Sequence, residues 1–460
     1  MIFTLSRHLA EADGDLLHLG ILGVCFSLTY AVNCTLFGHL SDRLGHRRLI
    51  GAGAVVFATA YGLALHSISV PHIFAVAVLG GMSTALVFPA IIALLSLSDG
   101  PGRRSGRHQT RTLILFCLSW NAGVISGNAA AGWLFPLGTR VSLSLGLALS
   151  VLHLAINAAS AAWAGWQARR PASGIPAATP GPGVTSPAPS TTHPSPAPPA
   201  SGATGLSTTS PASDSAGPSA TLPASGPDCP PSMPAPAALT ADLPLEDPLH
   251  PLAGDHPADE IHPTPALQRF FAVAGWMANF SGCVAMSLIT FLLPRLMTEL
   301  GVSAPVHGTL VTISRVAILG MYFLLHFTGF WRFRLAPGLI AQAVSMAGLL
   351  VLSRAHTVPM LATGVVLVGV MMGYNYFSSI FYSTTGFSEK RRGLASGLHE
   401  GTLAAGHTAG SLGGGYLGAT LGIRAPFRVG IGILAFSALV QLLAYLYFRR
   451  RQASTSRSST

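Results

Sequence analysis

Two long apolar runs near the start of the chain are separated by a short and strongly charged segment. Residues 16–37 and 49–65 are predominantly apolar, whereas residues 38–48 contain three arginines, two histidines and one aspartate. Such a segment cannot lie in hydrocarbon, because no water is present there to solvate its charges. The pattern predicts two membrane-spanning helices joined at one water interface, and the excess of arginine predicts that this interface is cytoplasmic.

The composition of the whole chain also indicates a membrane protein. Half of the 460 residues are hydrophobic and only 9% are charged, and the mean hydropathy of +0.53 lies outside the range of soluble globular domains. Most of the 26 Lys and Arg residues fall in short loops that the helix count places on one side of the membrane. Because the positive charge is scattered over short loops, the net charge of +10 does not indicate a nucleic-acid-binding protein.

A membrane-spanning helix needs about 20 predominantly apolar residues. Eleven segments are predicted to span: 16–37, 49–65, 73–97, 113–135, 141–163, 270–293, 309–327, 337–352, 359–382, 394–419 and 429–447. The residues before Leu16 are too few and carry Glu11, Asp13 and Asp15, so they are not expected to span.

The composition changes abruptly in the middle of the chain, where Pro, Ala, Ser and Thr dominate and most of the 33 prolines occur. Such a segment cannot bury enough apolar surface to fold by itself. The predicted domains are an N-terminal helix bundle at 1–168, a disordered cytoplasmic linker at 169–266, a C-terminal helix bundle at 267–449, and a disordered basic tail at 450–460. The linker is anionic, and it is either a passive tether or a regulatory segment.

The charged segment resembles the loop signature of the major facilitator superfamily, glycine-x-leucine-small-aspartate-arginine-x-glycine-arginine-basic. The matching residues are Gly38, Leu40, Asp42, Arg43, Gly45 and Arg47, while His46 stands where an arginine is usual. The alternative is an ordinary basic loop that obeys the positive-inside rule. The resemblance implies an all-α integral membrane protein of the major facilitator fold, with this loop as a gating element and without ATP hydrolysis.

The resemblance also implies two pseudo-symmetric six-helix bundles, and internal repeats in the sequence agree with that plan. The aligned pairs are Arg7 with Arg295, Glu11 with Glu299, Gly20 with Gly308, Gly123 with Gly406, and Gly127 with Gly410. A full span precedes Phe291, whereas almost nothing precedes its counterpart Phe3. The first helix of the family plan is therefore truncated or missing. We expect a start codon assigned too far downstream, because a real deletion would remove a pore-lining helix.

Glycines recur at helical spacing in two of the predicted spans. Gly123 and Gly127 in the first half are similar to the family's antiporter motif, although Asn128 replaces its proline. Gly406 and Gly410 repeat the pattern in the second half. The missing proline means that the pattern favours export only weakly, and close helix packing at these four glycines is the other interpretation.

Ionisable residues within spans are costly and therefore indicate function. Glu400 is the one carboxylate of the 16 within an apolar run, and His399 adjoins it. Glu400 is predicted to carry a proton during transport, or alternatively to pair with Arg391 or Arg392 at the start of its helix. Arg315 lies near the middle of another span, where it is predicted to bind an anionic group of the substrate or to pair with Glu400.

Polar and aromatic side chains within the spans suit a cavity for an organic solute, because they combine stacking surfaces with hydrogen-bonding groups. The candidates are Tyr30, Asn33, Trp120, Asn121, Trp276, Asn279, Tyr374 and Asn375, together with Arg315. Aromatic residues are also common at helix interfaces and in headgroup belts, so part of this set is expected not to contact substrate.

These observations predict a secondary-active transporter that moves a small organic solute by alternating access, with proton coupling as a hypothesis. A transport-inactive membrane sensor or scaffold of the same fold is the alternative, and an enzyme is not expected. We expect no cofactor, metal site or nucleic-acid partner. We expect a monomeric multi-pass protein of the inner (cytoplasmic) membrane, whose partners are its solute, the lipid bilayer and protons, with the linker and C-terminus in the cytoplasm.

Overall fold

The computed structural model describes residues 1–12, 15–97, 106–169, 263–385 and 392–458. Every regular element in these ranges is a helix, which confirms the predicted all-α class. The chain divides into one compact unit of residues 1–162 and 246–460 and a second unit of residues 163–245. Of the second unit, the described part is a helix end in which the rings of Trp163 and Trp166 lie 4.8 Å apart. The predicted linker at 169–266 lies almost entirely outside the described residues.

The described ranges contain thirteen α-helices. They are α1 (Ile2–Glu11), α2 (Leu16–Leu44), α3 (His46–His66), α4 (Val70–Leu97), α5 (Gly106–Leu134), α6 (Thr139–Arg169), α7 (Pro265–Ser287), α8 (Leu293–Glu299), α9 (Ala304–Phe327), α10 (Leu335–Arg354), α11 (Val358–Thr385), α12 (Arg392–Leu421) and α13 (Ala425–Ser458). A 3₁₀ turn, Phe135–Leu137, separates α5 from α6, and a π-helical turn, Leu288–Leu292, joins α7 to α8.

Ten of the described helical segments are long and apolar enough to cross a membrane, compared with the eleven predicted. The difference is α12, which has 30 residues but is not among the ten. Its length of about 45 Å exceeds the hydrocarbon thickness. Its many Gly, Ser and Thr residues, together with His399, Glu400 and His407, make it less apolar than the other spans.

The charged segment at 38–48 is mostly helical, which corrects the prediction of a loop. Helix α2 continues to Leu44 and α3 begins at His46, so Gly45 alone makes the turn. Gly45 has φ of +91°, a conformation that costs a residue without a Cβ atom very little. Hydropathy marks where a chain leaves the membrane, but a helix whose backbone groups are paired can extend into water.

Helix α7, the π-helical turn and α8 form one continuous apolar segment of 35 residues, most of it buried. Pro294 is the second residue after the π-helical turn. Proline has no N–H to donate and its ring clashes with the carbonyl group one turn earlier, so the wider turn accommodates it. The predicted span at 270–293 is thus shorter than the observed helix.

The helices form two halves that meet along two helix pairs, α2 with α12 and α5 with α9. We call the end of the bundle at which α2 ends and α3 begins the basic end. Helices α1 and α8 pack together at the opposite end. The tail predicted to be disordered at 450–460 is helical to Ser458, because α13 continues without Gly or Pro after Gly432.

Candidate functional site

The backbones of the two halves approach each other closely at two pairs of glycines. A Cβ atom built on Gly308 would lie 2.8 Å from the Cα atom of Gly132, and one built on Gly415 would lie 2.8 Å from the Cα atom of Gly20. Gly20 aligns with Gly308 in the internal repeat, and Gly132 aligns with Gly415 in the register of the repeated glycine pattern. The two contacts are therefore equivalent, and both lie toward the end opposite the basic end.

Two arginines reinforce the contact between the halves at that same end. Buried Arg7 pairs with Glu11, with 2.7 Å between Nε and Oε1, and its Nη2 donates to the carbonyl oxygen of Val302 at 2.8 Å. Arg295, the repeat counterpart of Arg7, donates from Nη1 to the carbonyl oxygen of Ala10 at 3.2 Å. An arginine of each half thus donates a hydrogen bond to a backbone carbonyl oxygen of the other half, so this end of the interface is closed.

A carboxylate lies in the middle of the interface between α2 and α12. Tyr30 Oη donates to Glu400 Oε2 at 2.7 Å, and both residues are buried. The other oxygen, Oε1, has no hydrogen-bond partner. His399 Nε2 lies 3.9 Å from Oε1, too far for a hydrogen bond, and His399 Nδ1 contacts Ser379 Oγ at 2.8 Å.

The structure does not pair Glu400 with Arg315. Among the described residues no ion pair joins the two side chains, and the buried Nε of Arg315 has no hydrogen-bond partner. The alternative partners of Glu400 cannot be compared in the same way. Arg391 and the side chain of Arg392 lie outside the part of the chain that the structure describes.

Aromatic rings connect the first half to the helix that carries His399. Trp120 lies between Phe88, with ring centroids 5.0 Å apart, and Tyr376, at 5.8 Å. Tyr376 in turn lies 5.1 Å from the ring of His399. The structure therefore brings Trp120 close to the Glu400 region. Ser379 was not among the predicted residues, although its place one turn after Tyr376 on α11 could have indicated it.

The other predicted cavity residues of the first half bond within their own helices. Asn33 Nδ2 donates to the carbonyl oxygen of Thr29 at 2.8 Å, and Asn121 Nδ2 donates to that of Cys117 at 2.9 Å. Each of these bonds uses one of the two N–H groups of the amide. Asn121 is buried and Asn33 is half-buried.

The predicted cavity residues of the second half mainly join its helices to one another. Trp276 Nε1 donates to Ser383 Oγ at 2.8 Å, and Asn375 Nδ2 donates to the carbonyl oxygen of Ala278 at 2.8 Å. Asn279 is fully buried and its Nδ2 has no partner. These bonds connect α7 to α11, which fits a packing role better than a direct contact with solute.

A cavity of about 470 Å³ and a smaller one of about 20 Å³ are lined by residues of the second half. Tyr374 lines the smaller one. Neither is lined by Tyr30, Trp120 or Arg315. Around Glu400 the described contacts are those of Tyr30 and His399 given above.

The repeated glycines of the two halves have different surroundings. A Cβ atom on Gly406 would lie 2.8 Å from Cys283 Cβ, and one on Gly410 would lie 2.6 Å from the carbonyl oxygen of Val284, so both positions require glycine against α7. Among the described residues, no atom lies within 4 Å of a Cβ atom built on Gly123 or Gly127. Close packing at these two glycines stays a prediction.

The gating residues predicted in the charged segment are only partly described. Arg43 and Arg47 are exposed on either side of the turn at Gly45. Asp42 and Gly38 belong to α2, but the surroundings of both residues lie outside what the structure describes. Their predicted gating role remains a prediction.

Comparisons with known proteins agree with this architecture. The sequence profile of the Major Facilitator Superfamily matches residues 1–218 and 275–460. No curated protein sequence matches the chain. Among solved structures, the chain resembles the nucleoside transporter NupG, with a TM-score of 0.54, 12% identity and coverage of 96% of each chain. It also resembles the human organic anion transporter MFSD10 (TETRAN), with a TM-score of 0.52, 15% identity and coverage of 92% of this chain and 83% of that one.

At these identities the likeness to solved structures shows the fold alone. The family profile, however, covers most of both helical halves, and its extent agrees with the internal repeat and the two helix pairs that join them. The chain belongs to the Major Facilitator Superfamily, a family of multi-pass membrane transporters.

Proposed function

We propose that this chain is a secondary-active transporter that moves a small organic solute by rocking its two halves about the Glu400 region. The observation that carries the proposal is the pair of equivalent glycine contacts, Gly20 with Gly415 and Gly132 with Gly308. Contacts through backbone and small residues can separate without leaving buried polar groups unpaired. That property suits an interface that opens and closes repeatedly.

Glu400 is the proposed proton carrier. It is buried, it accepts one hydrogen bond from Tyr30 across the interface, and its second oxygen is unsatisfied. An unpaired carboxylate charge in this position is costly, so binding a proton there would make the movement of the halves easier. The adjacent His399, whose Nδ1 contacts Ser379 Oγ, supports this role.

Arg315 is the proposed anchor for an anionic group of the solute. Its Nε is buried without a partner, and an arginine within a span needs a counter-charge. The names of the structural neighbours, a nucleoside transporter and an organic anion transporter, suggest solute panels for a first screen. We further propose a monomer in the inner membrane with its basic end in the cytoplasm.

The test uses the full-length chain in proteoliposomes with an imposed proton gradient and a panel of nucleosides and organic anions. Glu400→Gln should abolish proton-driven accumulation while retaining solute exchange, and Arg315→Gln should lose solute binding. The control Asp15→Asn changes an exposed carboxylate outside the spans and should behave like the parent chain.

Two results would count against the proposal in different ways. Proton-driven accumulation that persists in Glu400→Gln would remove the coupling role but leave the transporter intact. If the folded parent chain moved no solute of a broad panel in either direction, the sensor or scaffold alternative would be favoured instead.

A further inference from the structure

The larger cavity lies at the basic end of the second half, away from the interface between the halves. It has a volume of about 470 Å³ and lies between the first turn of α7, the start of α10 and the end of α13. The apolar part of its lining, here called the apolar wall, includes Leu267, Phe333 and the ring of Tyr445. Its volume falls in the range of small-ligand sites, about 300–1,000 Å³.

The lining of this cavity also carries positive charge. Arg334 and Arg449 both line it, and Gln452 adds an amide. Among the described residues neither arginine has an acidic partner. Two guanidinium groups in the lining of one cavity suit the oxygens of a phosphate group, to which arginine donates two parallel hydrogen bonds.

The start of α10 adds to the positive potential of the cavity. Arg334 is the N-cap residue of this 20-residue helix, and its side chain makes no capping hydrogen bond. Leu335 and Ala336, the first residues of α10, also line the cavity. The N–H groups of the first helical turn carry partial positive charge and attract anions.

The segment that presents Arg334 is held in place by specific contacts. Phe333 has φ of +54°, and it is the one non-glycine residue with positive φ in the described ranges. Its N–H donates to Tyr382 Oη at 3.0 Å, while buried Trp331 donates from Nε1 to the carbonyl oxygen of Leu325 at 2.8 Å. A strained conformation that the surrounding structure maintains is typical of a preformed binding site.

We propose that this cavity binds the phosphate-bearing headgroup of an anionic phospholipid. The two arginines and the start of α10 would hold the phosphate, and the apolar wall would cover the glycerol and the first carbons of the acyl chains. The cavity lies where the apolar part of α10 begins, which is the depth expected for headgroups. Inorganic phosphate shares the recognised chemistry but has no part that would occupy the apolar wall.

The test measures binding to the full-length chain purified in a neutral detergent. Phosphatidylglycerol, phosphatidylcholine and inorganic phosphate are added separately, and the thermal midpoint and the lipids retained in native mass spectrometry are recorded. Phosphatidylglycerol alone should raise the midpoint by several degrees. The double variant Arg334→Gln/Arg449→Gln should weaken its binding at least tenfold. The control Arg450→Gln removes an adjacent exposed charge of α13 that does not line the cavity and should bind like the parent.

The alternatives give distinct results. A full stabilisation by inorganic phosphate would indicate a free-anion site and overturn the lipid assignment. Equal effects of phosphatidylcholine and phosphatidylglycerol, or equal losses in the double variant and in Arg450→Gln, would show that the cavity does not recognise an anionic headgroup.

Discussion

The glycine contact between α5 and α9 offers a direct test of the rocking mechanism. A Cβ atom on Gly308 would lie 2.8 Å from the Cα atom of Gly132 and 2.9 Å from the carbonyl oxygen of Asn128. Carbon atoms pack at about 3.5–4.0 Å, so Gly308→Ala would force the two helices apart by several tenths of an ångström or more. Overpacking of this kind costs about 1–3 kcal/mol, and the cost arises only while the halves are in contact at this point.

The expected result is a shift toward molecules that are open at this end. A penalty of about 1–3 kcal/mol on the closed state changes the ratio of open to closed molecules by about 5- to 150-fold. The assay follows maleimide labelling of Ala10→Cys, a position that is 1% exposed in the closed end. Labelling should be faster by that factor in the Gly308→Ala background.

The control for this experiment is Gly320→Ala in the same helix. A Cβ atom on Gly320 would have no atom within 4 Å, so this change adds no contact between the halves. Both substitutions raise helix propensity by about 1 kcal/mol, and the comparison removes that common effect. Equal labelling rates in the two variants would refute the reasoning that the glycine contact maintains the closed end.

Two further predictions concern segments whose surroundings the structure leaves undescribed. Asp42→Asn should slow transport by up to about 30-fold with unchanged expression, because the gating role predicts a contact of this anion with the N-terminus of a helix, and such a contact is worth at most about 2 kcal/mol. The control is Asp15→Asn, and an unchanged rate would contradict the gating role. Replacing residues 175–255 by about 30 Gly and Ser residues, whose mean span is about 30 Å, should leave transport rates unchanged. Loss of activity in folded, membrane-inserted protein would instead support a regulatory linker.

The helical fold could be predicted from the sequence because apolar runs and charge placement report directly on the membrane. The ends of the helices could not. Hydropathy ends the first predicted span at Phe37, whereas α2 continues to Leu44 because nothing before Gly45 interrupts its hydrogen bonds. The sequence predicts a span at 394–419, within α12, although the small and polar residues that suit a helix interface make this helix less apolar than the others.

The candidate site could be predicted only in part. Glu400 and His399 were identifiable because charge within a span is rare, but the contact with Tyr30 joins helices far apart in the sequence and depends on how α2 packs against α12. The glycine pattern indicated helix packing without indicating which glycines have a neighbour. Among the described residues, Gly132, just after the repeated pair in α5, makes a contact that Gly123 and Gly127 do not make.

The relative positions of these groups suggest how a proton could control the movement of the halves. Tyr30 lies about 15 Å along α2 from Gly20, so the Glu400 region is separated from the glycine contact along the interface. A rotation that separates the glycines would tighten contacts toward the basic end. A charged Glu400 with one unsatisfied oxygen would oppose that tightening, because the cost of an unpaired charge increases as water is excluded. A proton on Glu400 removes this opposition, so under the proposed mechanism the loaded carrier can change its open side while the charged one cannot.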